Sequence, residues 1–482
     1  MPRARQLGTD DLLAATLRKI RTQLKLPESF APEVEVEAAA AVAAHELPDR
    51  DLTHVPFITI DPEGATDLDQ ALYLERADTD TSSGYRVYYA IADLPSLVAP
   101  GGAIDAEARK RGQTMYAPDG RIPLHPTIIS EGVGSLLPDE LRSAFVWEFE
   151  LDAAANVTRV HVERARVRSR RQCSYVEVQA ELDASKRDGA EGGIPEWLEL
   201  LEEVGLKRIA LERDRGGASL NRPDEEVQVE DGRYVLTRRD SLPVEGWNAQ
   251  LSLMTGMAAA QFMLEAKVGI LRTMPAPDEE TLERFRRQVA ALGAPWDPEL
   301  QYGEYLRTLD PGKAQHLAVI HAAASLFRGA GYTAFDGDLP DDTTQAAVAA
   351  PYAHATAPLR RLVDRFVLVT CEALCLGREV PQWVRDALPE LPHLMASSDG
   401  RANQLEAQSL NAIEAALLSS RVGEEFDAVV VQTKEGGGVI QLTDPVVTAF
   451  MEGSAPPGKR VRAELVTADI ASGEVLFRRA GA

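Results

Sequence analysis

Apolar residues recur at helical spacing through residues 10–25 (DDLLAATLRKIRTQLK), behind an aspartate suited to cap a helix. Residues 32–46 are alanine-rich and also predict helix, while Asp49 to Pro56 reads as a linker. From Phe57 to about Glu150 the period shortens to that of strands, in FITI, ALYLE, YRVYYAIA and FVWEFELD, broken by Pro and Gly turns. Residues 157–168 (VTRVHVERARVR) alternate strictly. Helical periodicity then dominates from about Ile194 to Leu418. The last stretch returns to short strands, FDAVVVQT, GGGVIQL, RVRAELV and EVLFRR, with the size and texture of a small OB-type barrel. The pattern divides the chain into a helical unit over 1–50, a strand-then-helix unit over 51–422 and a barrel over 423–482, an α+β organisation. The first unit reads either as a helix-turn-helix accessory or as a plain packing element. No internal repeat at solenoid periods interrupts this order.

A length of 482 residues holds about three units at roughly 150 residues per domain. No apolar run approaches the ~20 residues that span a bilayer, and the start, MPRARQLGTDDLL, has no apolar signal core, so no membrane partner is expected. Cys173, Cys371 and Cys375 are too few for a disulfide framework and lack a zinc spacing, which predicts idle thiols in a reducing compartment, the cytoplasm. A net charge of −24 argues against an open binder of duplex DNA, whose affinity would come from neutralising phosphates. It leaves room for an enclosed, locally basic channel.

Three constellations carry chemistry. In FITIDPEGATDLDQALYLE, Asp61 closes a strand, and Asp67 and Asp69 stand two apart as the next begins, so period two sends both to one side. Converging carboxylates repel unless a divalent cation neutralises them, and Mg²⁺ suits oxygen ligands completed by substrate phosphate. Such a site hydrolyses phosphodiesters; an acidic surface turn explains the residues equally. In YAHATAPLRRLVDR, Pro358 predicts a helix start with Arg360 and Arg361 in its first turn, where the dipole prefers anions, which suits a bound phosphate. The alternative is a solvated helix start with Asp364 pairing Arg360. In HVERARVRSRRQ, Arg164, Arg166, Arg168 and Arg170 line one strand face, toward either an RNA backbone or an acidic surface of the same chain.

Together with YYAIADLPSLVAPGGAIDAEARKRGQTMYAPDGRIPLHP and SEGVGSLLPDELR, these segments resemble the ribonuclease II (RNB) family of processive 3′-to-5′ exoribonucleases. The resemblance implies an RNB-type catalytic domain enclosing a single-strand channel, followed by an OB-fold RNA-binding domain. It implies metal binding by Asp61 and Asp67, and by Asp69 as the carboxylate closest to catalysis, with Mg²⁺ as cofactor and Mn²⁺ as substitute. Arg360 would hold the scissile phosphate, Tyr116 would clamp the terminal base, and Glu406 and Tyr175 would lie along the RNA. Core packing with a bonded hydroxyl is the competing role for both tyrosines. The implied partner is single-stranded RNA, bound by a monomer and cut to nucleoside 5′-monophosphates.

The sequence departs from the family pattern in three places. Gln70 follows Asp69 where the family usually has another aspartate; its neutral oxygen is expected to serve the metal. Ser219 stands where many members place an aromatic. The two cold-shock domains that usually precede the catalytic domain have no counterpart ahead of residue 51. A noncatalytic RNA-binding regulator and a DNA nuclease on the same scaffold stay open as alternatives.

Overall fold

The computed structural model describes residues 2–78, 83–188, 194–218, 224–230, 233–239, 241–310 and 312–481. The alternating segments close into a first barrel of five strands: β1 (Phe57–Asp61), β2 (Gln70–Asp78), β3 (Ser83–Ala92), β6 (Leu141–Leu151) and β7 (Val157–Ser174). Neighbours run antiparallel except β7 and β1, which close the ring in parallel, pairing Asp61 with Ser174. The hairpin β4 (Met115–Ala117) and β5 (Gly120–Ile122) lies outside the ring. Period two splits the barrel's side chains. Val87, Tyr89, Phe145, Trp147 and Phe149 join one large core, and the smaller Ala90, Ala92, Ala144, Val146, Ala165 and Val167 face a second.

The large core is completed by helices. α4 (Tyr175–Asp188), α5 (Glu196–Asp214), α6 (Pro243–Ala266) and α10 (Leu362–Cys375) all contribute to it, and α10 is buried along nearly its whole length. α7 (Glu279–Ala291), α8 (Tyr302–Arg307) and α9 (Ala314–Ala323) form a separate cluster around Phe285, Trp296 and Tyr305. α11 (Gln382–Ala387) leads into the long α12 (Leu391–Leu418). The reading of 194–418 as helical missed three two-stranded sheets: β8 (Asp224–Glu230) with β9 (Arg233–Arg239), β10 (Val268–Thr273) with β11 (Gly331–Asp336), and β12 (Thr344–Gln345) with β13 (Ala350–Pro351). Two-stranded sheets this short carry little periodic signal beside long helices.

Past α12 the chain closes a second five-strand barrel in the order β14 (Glu425–Lys434), β15 (Gly437–Leu442), β16 (Thr448–Glu452), β18 (Glu474–Arg479), β17 (Arg460–Asp469). This is the OB-type texture expected of the last residues. The N-terminal helices form as expected, α1 over Pro2–Gln23 and α2 over Pro32–Ala44, but they do not make a unit of their own. Leu13, Leu17 and Ile20 of α1 pack with Leu405 and Ile413 of α12, whereas Val34 and Ala38 of α2 join the barrel's second core beside α3 (Ala103–Arg111). Arg21 of α1 also grips Asp119 at the tip of the β4–β5 hairpin through two bonds of 2.7 Å.

α3 is fixed to α10 by charge. Arg365, with no exposed side-chain surface, meets Asp105 at 2.5 Å and the Val98 carbonyl at 3.0 Å, and Asp105 also accepts from the Gly101 amide at 2.9 Å. Removing one partner of a buried pair leaves the other charge uncompensated. Asp105→Ala should therefore lower unfolding stability by about 3–5 kcal/mol, whereas Asp105→Leu combined with Arg365→Met should lose much less. Urea midpoints at unchanged slope measure both.

Candidate active site

β1 ends at Asp61, and the following turn delivers Asp67 and Asp69 to the start of β2. Asp69 is 4% exposed. Its Oδ1 accepts from the Leu359 amide at 2.8 Å, and Arg360 Nε lies 3.4 Å from its Oδ2. Burial pushes the Asp69 carboxyl up to about 8 against the pull of Arg360 and that amide. Burial likewise lifts Asp61 to about 6, Arg360 opposing and Asp67 adding to the rise. The Asp61 Oδ2 is buried with no hydrogen-bond partner. Asp67 takes Arg121 at 2.5 Å, and Arg121 also reaches Glu131 at 2.8 Å and the Thr66 hydroxyl at 2.6 Å.

Arg121 escaped the sequence reading, although the Pro118-Asp119-Gly120 turn predicts a hairpin that pairs it with Tyr116. The two are cross-strand partners, so the Asp67–Arg121 bond places the hairpin at the site. Tyr116 is 54% exposed, and its hydroxyl feels the charges of Asp67, Arg360 and Asp69. That exposure is not the core packing weighed against the base-clamp role.

The expected helix start at Pro358 is a turn; α10 begins at Leu362, and Arg361 is its cap residue. The reason is Asp364, fully buried, whose Oδ1 accepts from the Ala357 amide at 2.7 Å. Arg361, not Arg360, forms the ion pair with it, donating from Nε and Nη2 at 2.9 and 2.8 Å. Arg361 is thus ion-paired within the fold. Arg360 is left 46% exposed on the side-chain scale, with Asp69 its acidic neighbour.

Gln70 is hydrogen-bonded within the fold. Its amide donates to the Thr356 carbonyl at 2.7 Å, and its oxygen accepts from the Tyr89 hydroxyl. The oxygen expected to serve the metal thus already accepts one hydrogen bond, and Gln70 opens β2 directly after Asp69.

The arginine row alternates as expected, but much of it meets acidic partners of the same chain. Arg164 binds Asp93 at 3.0 Å and also Glu372, and Arg166 binds Asp51 at 3.0 Å. Arg170 donates to the Thr53 carbonyl at 2.6 Å. Arg168 keeps a buried Nε without a partner. Tyr175 opens α4, accepts from the Asn248 amide at 3.0 Å and feels the charges of Asp61 and Arg360, which places it beside the cluster. Glu406 lies exposed on α12, and nothing among the described residues ties it to the carboxylates. Ser219 lies outside the described residues.

Among the described residues no three acidic, His or Cys side chains stand close enough to enclose an ion. The donor set nevertheless suits one: Asp61 offers an unpartnered buried oxygen, and both Asp61 and Asp69 are hard oxygen donors that burial makes reluctant anions.

Comparison with known proteins agrees with this layout. Residues 49–375 match the RNB domain, and residues 424–480 match the RNase II-type exonuclease C-terminal S1 domain. The chain belongs to the RNB domain family. It is 25% identical over 460 residues to ribonuclease R of Vibrio cholerae, covering 88% of this chain and 54% of that one. It thus spans about half the length of the curated relatives it matches. Among solved structures, ribonuclease R of Mycoplasma genitalium in complex with ribose methylated single-stranded RNA superposes at a TM-score of 0.86, with 17% identity and 97% and 78% of the two chains covered. Yeast Ssd1, described as a pseudonuclease, superposes at 0.67 with 16% identity, 87% of this chain and 52% of that one. The RNB fold therefore supports both a nuclease and a pseudonuclease, and the side chains must decide between them. No helix among the described residues is long and apolar enough to cross a membrane.

Two outcomes follow for the site. Asp61 and Asp69 hold protons more tightly folded than unfolded, so their contribution to stability is full below about pH 4. It is lost as pH rises through about 6 for Asp61 and about 8 for Asp69. In EDTA the melting temperature should fall across that window, and Asp69→Asn should remove its upper step. Gln70→Asp supplies the family's missing carboxylate but sets it against the Thr356 carbonyl, with no donor to offer. It should cost about 1–3 kcal/mol in thermal unfolding and bring no gain in turnover.

Proposed function

We propose that this RNB protein is a divalent-metal-dependent exoribonuclease that shortens single-stranded RNA from its 3′ end and releases nucleoside 5′-monophosphates, acting as a monomer in the cytoplasm. The reading rests on one juxtaposition: the buried Asp69 carboxylate against a half-exposed Arg360, with an exposed Tyr116 within reach of both charges. Arg360 would meet a phosphate oxygen with its planar fork and stabilise charge as water attacks phosphorus and the 3′-oxygen leaves. Tyr116 would stack on a base without reading its identity. Asp61, Asp67 and Asp69 would hold the cation, for which Mg²⁺ fits hard oxygen donors and Mn²⁺ is a substitute; when bound it supplies Lewis acidity toward the phosphate. The names of the relatives, ribonuclease R, and the RNA bound by one structural neighbour support the substrate class.

A second reading is favoured by Gln70, which leaves the cluster one carboxylate short of the family pattern: a noncatalytic RNA-binding regulator. Labelled single-stranded RNA and DNA, each with Mg²⁺ or EDTA and run on a gel, separate the two readings and the DNA-nuclease alternative. The expected result is loss of the full-length band and release of mononucleotides from RNA alone and only with metal. Asp69→Asn should abolish digestion while RNA binding persists, because shape is kept and charge removed; a tenth or more of the wild-type rate would overturn its role. Arg360→Ala should cut turnover by about 10²–10³-fold, and Arg360→Lys should restore only part, since a point charge lacks the fork.

A further inference from the structure

Behind α6 lies a cleft of about 620 Å³ between α5, α6 and the turn joining β6 to β7. Its walls include Leu211, Met254, Met257 and Phe262, and two arginines of α5 and its C-terminus, Arg208 and Arg215, line it as well. Arg208 is 4% exposed; one amino group donates to the Ala155 carbonyl at 3.1 Å, and its Nε is buried without a partner. Arg215 keeps both Nε and Nη2 buried and unpartnered. Buried guanidinium donors without acceptors are costly and uncommon, and here they come from two neighbouring arginines in one cleft. Glu212, whose charge acts on both, is engaged elsewhere: it accepts from Gln250 at 2.5 Å and lies 3.7 Å from Arg307. Burial and mutual repulsion lower the Arg208 pKa to about 10, the sign of a cation short of counter-charge. The acidic lining residues Asp214 and Glu265 are exposed.

This cleft is not part of the carboxylate site. Asn248 and Ser252 of α6 reach Tyr175 and Thr356, whereas Met254, Met257 and Gln261 fall on the opposite side of the helix by its 3.6-residue period. We infer that the cleft is a second binding site, for a small amphipathic anion whose carboxylate or phosphate head meets Arg208 and Arg215 while its apolar body lies along Met254, Met257 and Phe262. The head brings the counter-charge that the two guanidiniums lack, and the flexible thioethers adapt to the body.

Octanoate and octyl phosphate probe the two head groups, and octanol the body alone, by titration calorimetry on the full chain. At least one of the two anions should bind one-to-one, and Arg215→Gln should weaken it by about tenfold or more while leaving octanol unchanged. Met257→Trp, which fills the cleft without touching its charge, should weaken the same anion by about as much. Asp69→Asn should bind it like wild type, because the carboxylate site is on the other side of α6. The inference is overturned if neither anion binds, or if Arg215→Gln binds like wild type. Should that variant not fold, an unchanged affinity in Met257→Trp overturns it alone and a lost one sustains it.

Discussion

A single buried carboxylate organises the site. Asp364 has no exposed surface, a position costly for an anion unless its oxygens are fully engaged. It accepts from the Ala357 amide and from both faces of the Arg361 fork, and this closes residues 357–361 into a fixed turn ahead of α10. Everything reactive hangs on that turn. The Leu359 amide points to Asp69, Arg360 projects outward beside it, and the Arg360 carbonyl accepts from Thr114 at 2.9 Å. The last bond, with Leu362 donating to the Gly112 carbonyl at 3.0 Å, aligns the segment that carries Tyr116. One arginine is spent on position so that its neighbour is free to act.

The far side of the turn is held as firmly. Gln70 bridges Tyr89 and the Thr356 carbonyl, and Ser252 of α6 meets the Thr356 hydroxyl at 2.8 Å. The β2 strand, the turn and α6 are therefore cross-linked by neutral hydrogen bonds. Burial raises the pKa of Asp61 and Asp69 because no fixed cation compensates them fully. Such reluctant anions lower stability at neutral pH and raise affinity for whatever positive charge arrives, which is how a functional site differs from a structural ion pair. α1 reinforces the opposite wall, since Arg21 anchors the hairpin that presents both Tyr116 and Arg121.

Much of this was legible in the sequence. The alternation of apolar residues predicted both barrels' strands, and period two placed Asp67 and Asp69 together on one side. Gln70, which chemistry suggested as a ligand, also serves the fold as a cross-link, and its partners Thr356 and Tyr89 are distant in sequence. The arginine row shows the opposite failure. Its alternation is real, but Arg164 finds its partners at Asp93 and Glu372, 71 and 208 residues distant, and no local pattern announces such pairs. Proline followed by arginines read as a helix start, yet the cap geometry depends on the Asp364 side chain reaching back to Ala357. The N-terminal helices were visible as helices, while their packing on α12 and α3 needed the tertiary fold.

Charge counting at the opening gives the electrostatic case for a cation. Asp61, Asp67, Asp69 and Glu131 face the guanidiniums of Arg360 and Arg121, and Arg121 already divides itself between Asp67 and Glu131. A phosphodiester brings a further negative charge and must take Arg360 from Asp69. Arg361 cannot help, because its fork is closed on Asp364. At the few ångströms that separate these groups, and at the reduced effective dielectric of a part-buried site, each unbalanced like-charge pair costs on the order of several kcal/mol. Arginine alone therefore cannot seat the phosphate among these carboxylates. Protonating Asp61 and Asp69 would relieve the repulsion but would remove the anionic donors the chemistry needs. A divalent charge relieves it and keeps them, and Asp61 offers it an oxygen that has no hydrogen-bond partner.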